Sequence, residues 1–251
     1  MHRRRSIGLL CGAALGVALP ARSQAPTYHV GATPTGIPFS YLDPKTGSIQ
    51  GAMVDVVRLV ADQAGFAVNI EATPFASLIP ALTEKRIDII GAAMLVTAPR
   101  REVIDFSDPV FACPEGLVVN ITDKTEYRSL DDLKGKIVGA QTGTVYVDFL
   151  RRAGDFAEIK LYPSLADILR EVSQGRLVAG FGDAPILAYQ LAQNVSLRAR
   201  LVPTYESELS ATISLAVRKG DAELLGRINA ALAALRSDGT LDKIVVKWNL
   251  R

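Results

Sequence analysis

The sequence predicts an α/β protein, with helices layered on mostly parallel sheets. Three observations predict it. Short apolar strands alternate with amphipathic helices along most of the chain. Two stretches, "LIPALTEKRIDIIGA" and "ILREVSQGRLVAGFGD", share one form: an apolar helix, a turn carrying Arg86 or Arg176, then a buried strand. Finally, 49% of the 251 residues are hydrophobic, enough for a sizeable core in one or two domains.

The elements follow in order. "TYHVGAT" (27–33) reads as a strand, and "FSYLDPKTGSIQG" as a hairpin that turns at Asp43-Pro44 and Gly47. "AMVDVVRLVADQAG" is an amphipathic helix with Val54, Val57, Val60, Ala61 and Ala64 on one face and Gly65 as its stop. "AVNIE" is a strand, "FASLIPALTEK" a helix, and "IDIIGA" a buried strand. Pro80 requires that helix to kink or to begin late. In the second half, "SLDDLKG" is a short helix with Ser129 as N-cap and Gly135 as terminator. "KIVGAQ", "EIKLY" and "LVAGFGD" are strands; "TVYVDFLRRAG", "SLADILREVSQG" and "APILAYQLAQN" are the helices between and after them. "ATISLAVRK" reads as one strand, and helices over 221–236 and 239–249 close the chain.

The first 23 residues are expected to be removed. Arg3 to Arg5 precede an apolar stretch from Ile7 to Leu19, then small residues, the layout of a secretory signal peptide. The apolar stretch is short for a bilayer span. Whether export is general or through the twin-arginine route stays open. Removing residues 1–23 removes four arginines and no acid, which takes the formal charge from +2 to −2. The remaining chain has no basic excess for nucleic acid. Cys11 leaves with the signal, so Cys113 is alone and no intrachain disulfide is possible. His29 is then the sole histidine, which leaves no zinc cluster and no histidine-based triad. No metal and no cofactor are expected.

"GAAMLVTAPRREVIDFSD" (91–108) raises the chemical question. Two arginines fall in the first turn of a helix, where the backbone already carries partial positive charge. An anionic ligand would relieve that conflict. The stretch "VTAPRREVIDFSDPVF" resembles the signature of the family 3 extracellular solute-binding proteins, the polar amino-acid-binding proteins of bacterial ABC importers. "GIPFSY", "GSIQGAMVDVV", "FASLIPALTEKRIDII", "LDDLKGKIVGAQTGT", "GRLVAGFGD" and "ALRSDGTLDKIVVKW" agree with the same family in order and spacing.

The resemblance implies a periplasmic-binding-protein type II-like fold: two α/β lobes joined by two crossing strands, with a ligand cleft between them. Residues 24–112 plus 206–251 would form lobe 1 and 113–205 lobe 2. Arg100 matches the family arginine that pairs with a ligand α-carboxylate, which a guanidinium grips through two parallel hydrogen bonds. Arg101 reads as a surface residue paired with Asp105 at i,i+4. Asp183 matches the carboxylate that receives the ligand ammonium, and is placed to cap the helix starting at Ala184 as well. Phe75 matches an aromatic that lies against the ligand. Ala93 follows the strand before the arginine and joins the set.

This chain departs from the family pattern at several positions. Leu95 stands where a hydroxyl is usual, leaving only its backbone N–H to donate. "TGTVY" keeps Thr144 but has Val145 where a second hydroxyl is common. Thr33 and Gly36 stand where some members have an acid and an aromatic, and Met53 replaces a frequent Asp while Asp55 is kept. Each lost hydrogen bond to a charged group costs about 1.5–3 kcal/mol. The expected ligand has a carboxylate, an amine and a largely uncharged body; lysine- and arginine-like ligands are disfavoured.

The expected function is that of a monomeric periplasmic receptor handing its ligand to an ABC permease in the inner membrane. Two alternatives stand beside it. One is a cyclohexadienyl or arogenate dehydratase-like enzyme on the same scaffold, with Asp183 as general acid. The other is a ligand-sensing module that acts through a separate partner.

Overall fold

In a computed structural model of the protein, residues 25–207 and 209–250 are described; the expected signal over 1–23 lies outside the described residues. Two main sheets carry the fold. The first has the order Ala67–Ala72, Thr27–Ala32, Ile89–Ile90, Ala216–Arg218, Ile104–Phe106. The second has the order Glu158–Tyr162, Ile137–Gln141, Ala179–Asp183, Phe111–Asn120, Ala199–Leu201. Each begins with three parallel strands in the chain order second, first, third. Each is then joined by an antiparallel strand. The repeat read from the sequence therefore has a structural basis: its two strands, Ile89–Ile90 and Ala179–Asp183, hold equivalent places.

The sheets are mixed rather than mostly parallel. The fourth strand of each arrives from the opposite half of the molecule and so runs against its neighbours. Phe111–Asn120 pairs through residues 111–114 with Ser210–Ile213, and through 115–119 with Ala179–Asp183. Ser210–Ile213 leads back to Ala216–Arg218 in the first sheet. These two segments are the crossing connections of a two-lobed fold. They also correct the reading of "ATISLAVRK" as one strand. The strand breaks at Ser214-Leu215, where the Leu215 N–H donates to Ser107 Oγ at 3.0 Å and its carbonyl accepts from Ser107 N at 2.9 Å. Neither half of that ribbon is evident as a strand end from local pattern.

Local chemistry accounts for most helices. Ala52–Ala64 buries Val54, Val57, Val60 and Ala61, and ends at Gly65, whose φ of 72° is left-handed. The predicted helix at 75–85 is a 3-10 turn, Phe75–Ser77, followed by the helix Leu78–Thr83. It begins late, so Pro80 falls in the first turn, where a missing N–H costs no intrahelical bond. "SLDDLKG" forms only a 3-10 turn, Leu130–Leu133, with Asp132 Oδ2 accepting from the N–H of Arg128 and Ser129. "IDIIGA" contributes just Ile89–Ile90 as strand. In the hairpin, the Asp43 carboxylate accepts from Lys45 N, Thr46 Oγ1 and Gln50 Nε2. At the other end of the chain, Lys247 Nζ and Trp248 Nε1 both donate to Asp55, tying the last helix to the first.

Candidate functional site

Open α/β sheets present ligand groups at the carboxyl ends of their strands. Here four such ends converge. Thr33 follows Thr27–Ala32, Ala93 follows Ile89–Ile90, Thr144 follows Ile137–Gln141, and Asp183 closes Ala179–Asp183. All four line one cavity between the sheets, together with Phe75, Ser40 and Gln141. Its volume is about 20 Å³, room for about one water. A solute enters only if the lobes part. A larger hollow of about 690 Å³ lies around Tyr189 and Leu197 and is lined by none of these groups.

Arg100 stands beside the cavity. It lies in Ala98–Val103, a six-residue helix whose N-cap Thr97 accepts from the Arg100 N–H at 3.4 Å. Arg100 is 8% exposed. Its Nη1 donates to the Leu95 carbonyl at 2.7 Å and its Nη2 to the Gly143 carbonyl at 3.0 Å. The second bond crosses from the first lobe to the other. The carbon of the guanidinium lies 5.8 Å from the Phe75 ring centroid. Burial lowers its pKa to about 10, against the attraction of Asp183, Tyr146 and Asp148.

Asp183 is the counterpart on the second lobe. It is buried, and its Oδ1 accepts from Tyr146 Oη at 2.6 Å. Burial pushes its pKa up; hydrogen bonds from Tyr146 and Cys113 and the charge of Arg100 oppose that rise. Burial next to this carboxyl also raises the Tyr146 hydroxyl and the Cys113 thiol. Asp183 holds the N-cap position of Ala184–Gln193, yet its side chain makes no capping bond. The expected capping role is corrected, because the carboxylate turns to Tyr146.

Other expectations fall as follows. Leu95 is buried, and it is its carbonyl that meets Arg100. Val145 opens the helix Val145–Ala153 and packs on the core; neither it nor Leu95 lines the cavity. The Thr144 hydroxyl donates to the Gln141 carbonyl at 2.7 Å. The Arg101–Asp105 pair is corrected. The helix ends at Val103, so Asp105 lies on a strand and accepts from Lys219 Nζ at 2.7 Å and Gly220 N at 2.8 Å. Arg101 instead lies over Phe106, 5.6 Å from the ring centroid.

Sequence reasoning missed Ser40, Tyr146, Glu115 and Gly143. Ser40 sits in the hairpin, far from any charge pattern. Tyr146 carried a weak signal, a tyrosine in the first turn of the helix after "TGT". Glu115 faces Asp183 across the strand pair and accepts from Tyr205 Oη at 3.1 Å. Gly143 has φ 80°, and a Cβ on it would stand 2.8 Å from Ala76 Cα in the facing lobe. Among the described residues, the buried charges are Arg100, Glu115 and Asp183. No group of described His, Cys, Asp and Glu residues is placed to hold a metal ion. No helix among the described residues is long and apolar enough to cross a membrane.

Two α/β lobes, two crossing strands and buried opposite charges at the seam define a two-lobed solute-binding protein. The profile of the bacterial extracellular solute-binding proteins, family 3, matches residues 28–251, and the chain belongs to that family. It is 30% identical over 237 residues to a probable histidine-binding protein of Neisseria gonorrhoeae, covering 92% of this chain and 86% of that protein. A solved structure described as an ancestral arginine-binding protein bound to glutamine superposes with a TM-score of 0.81 at 33% identity, over 90% of this chain and 98% of the other. An ancestral amino acid-binding protein described as a precursor of cyclohexadienyl dehydratase gives a TM-score of 0.79 at 31% identity, over 88% and 95%.

Proposed function

We propose that this protein binds an α-amino acid or a related small carboxylate between its closing lobes and delivers it, as a periplasmic monomer, to an ABC permease in the inner membrane. The observation that carries this reading is the pair of buried, opposite charges on facing lobes. Isolated buried charges are costly, and a zwitterion supplies the partner for each. Arg100 pairs with the carboxylate, its remaining N–H groups being oriented by the bonds to Leu95 and Gly143. Asp183 pairs with the ammonium. Thr33, Phe75, Ala93 and Thr144 surround the ligand body, while Leu95, whose carbonyl holds Arg100, and Val145 stand outside the cavity lining.

Closure is then a population shift driven by a ligand that touches both lobes at once. The relatives named above are described as binding proteins, which supports transport over catalysis. Dehydration of prephenate or arogenate remains the competing activity, and an assay for phenylpyruvate or phenylalanine decides it; no product is expected.

Native mass spectrometry of the purified chain is expected to show a retained species in the amino-acid mass range. Arg100→Ala leaves a ligand carboxylate without its charged partner, which costs about 2–5 kcal/mol. Calorimetric titration is expected to show a loss of roughly 30-fold to several thousand-fold. Unchanged affinity in that variant overturns the reading.

A further inference from the structure

Two hydroxyls in the cavity wall have no role so far. Thr33 is 4% exposed and Ser40 1%, and neither Oγ has a hydrogen-bond partner. Both line the cavity, on the lobe that also carries Arg100. Buried polar side chains are nearly always satisfied, so two unpartnered hydroxyls on one wall are a site awaiting partners. Thr35 also lines the cavity but is exposed, and Gln141 and Thr144 are engaged. Gln141 Nε2 donates to the Pro163 carbonyl at 3.1 Å, and the Thr144 hydroxyl to the Gln141 carbonyl.

The charges decide the rest. Among the described residues, Asp183 is the only ionisable one in the cavity lining. Resting on the amino-acid reading above, it is committed to the ligand ammonium. A cationic side chain would then be buried without a counter-charge, and an anionic one would add a second unpaired charge. A purely aliphatic side chain would leave both hydroxyls unsatisfied on closure. A site built to hydrogen-bond a substrate group rejects the analogue that lacks it far more strongly than an apolar pocket rejects a missing methylene.

We propose that the side chain of the ligand is neutral and hydrogen-bonding, a hydroxyl or a carboxamide, and that Thr33 and Ser40 read it. Ser40 is thereby a specificity-determining residue. Either hydroxyl donates to a carboxamide oxygen or accepts from its NH₂, and the two are interchangeable toward a ligand hydroxyl.

Isothermal titration of the purified chain with L-threonine, L-valine, L-glutamine, L-leucine, L-arginine and L-glutamate tests this. Wild type is expected to bind threonine or glutamine at least about tenfold more tightly than the apolar or charged members. In Ser40→Ala combined with Thr33→Val, the ratio between the polar ligand and its apolar counterpart is expected to fall to about one. Thr33→Ser keeps a hydroxyl and is expected to keep the preference, and thermal melts establish that each variant is folded. Tightest binding of arginine, glutamate or leucine by wild type, or a preference that survives the double substitution, overturns this inference alone. If no amino acid in the panel binds to wild type, the amino-acid reading fails and this inference fails with it.

Discussion

The two lobes share one strand order but hold their charges in different ways. On the first, Arg100 is gripped by carbonyl oxygens of Leu95 and Gly143. The Leu95 carbonyl, on the same lobe, steadies the cation before any ligand arrives, and the Gly143 carbonyl joins it when the lobes close. On the second, Asp183 accepts a short bond from Tyr146 and another from the Cys113 thiol, and sits in surroundings that raise its pKa. The cationic end is preorganised; the anionic end is held under strain of burial. A duplicated topology therefore fixes where ligand groups sit, while the side chains at the strand ends decide which end is rigid and which is costly.

Substitution at Asp183 breaks the comparison most sharply. Asp183→Asn keeps an acceptor for Tyr146 but leaves the ligand ammonium unpaired, and affinity is expected to fall about 100-fold or more by calorimetry. Because the folded pKa is raised, the native carboxyl holds its proton where the unfolded one has released it. Stability of the ligand-free protein therefore falls as pH rises from the ordinary aspartate value through the raised one, and the penalty persists above both. The asparagine variant removes that penalty, so its thermal midpoint at neutral pH is expected to exceed that of wild type by a few degrees, with the difference vanishing in acid.

Gly143 tests the bond between the lobes. Gly143→Ala combines a left-handed φ, unfavourable by about 1–2 kcal/mol, with a Cβ pressed against Ala76 across the cleft. Ligand affinity is expected to drop about tenfold. Small-angle scattering is expected to show a weaker contraction on addition of ligand than in wild type.

The smallest effect is expected from Tyr146→Phe. It removes one hydrogen bond to Asp183, worth about 1.5–3 kcal/mol for a charged acceptor, part of which water restores when the lobes open. That bond opposes the upward shift of the carboxyl. Its loss raises the pKa further, so the acid limb of ligand binding is expected to move to higher pH, with affinity at neutral pH reduced by less than about tenfold.

How much of this was legible from sequence varies from element to element. Ala52–Ala64 was legible to within a residue, since its periodicity and Gly65 are local signals. Arg100 and Asp183 stood out because each is a charge at the edge of an apolar run. The strand Phe111–Asn120 was not read, because its two halves pair with segments far apart in sequence. Ser40 was invisible because a serine in a hairpin carries no signal until its neighbours show it buried and unpartnered.

By itself the sequence determined the alternation of strands and helices, the repeated helix–strand unit and the residue types at the strand ends, since all of these depend on near neighbours. The tertiary structure alone decided the rest. It split one apparent strand between two sheets, turned Asp105 from Arg101 to Lys219, committed Tyr146 to Asp183, and set Gly143 against Arg100. Each of these joins groups from separate segments or redirects one when a helix ends early. No short-range pattern encodes such contacts; they follow from which strand ends the two crossing segments bring face to face.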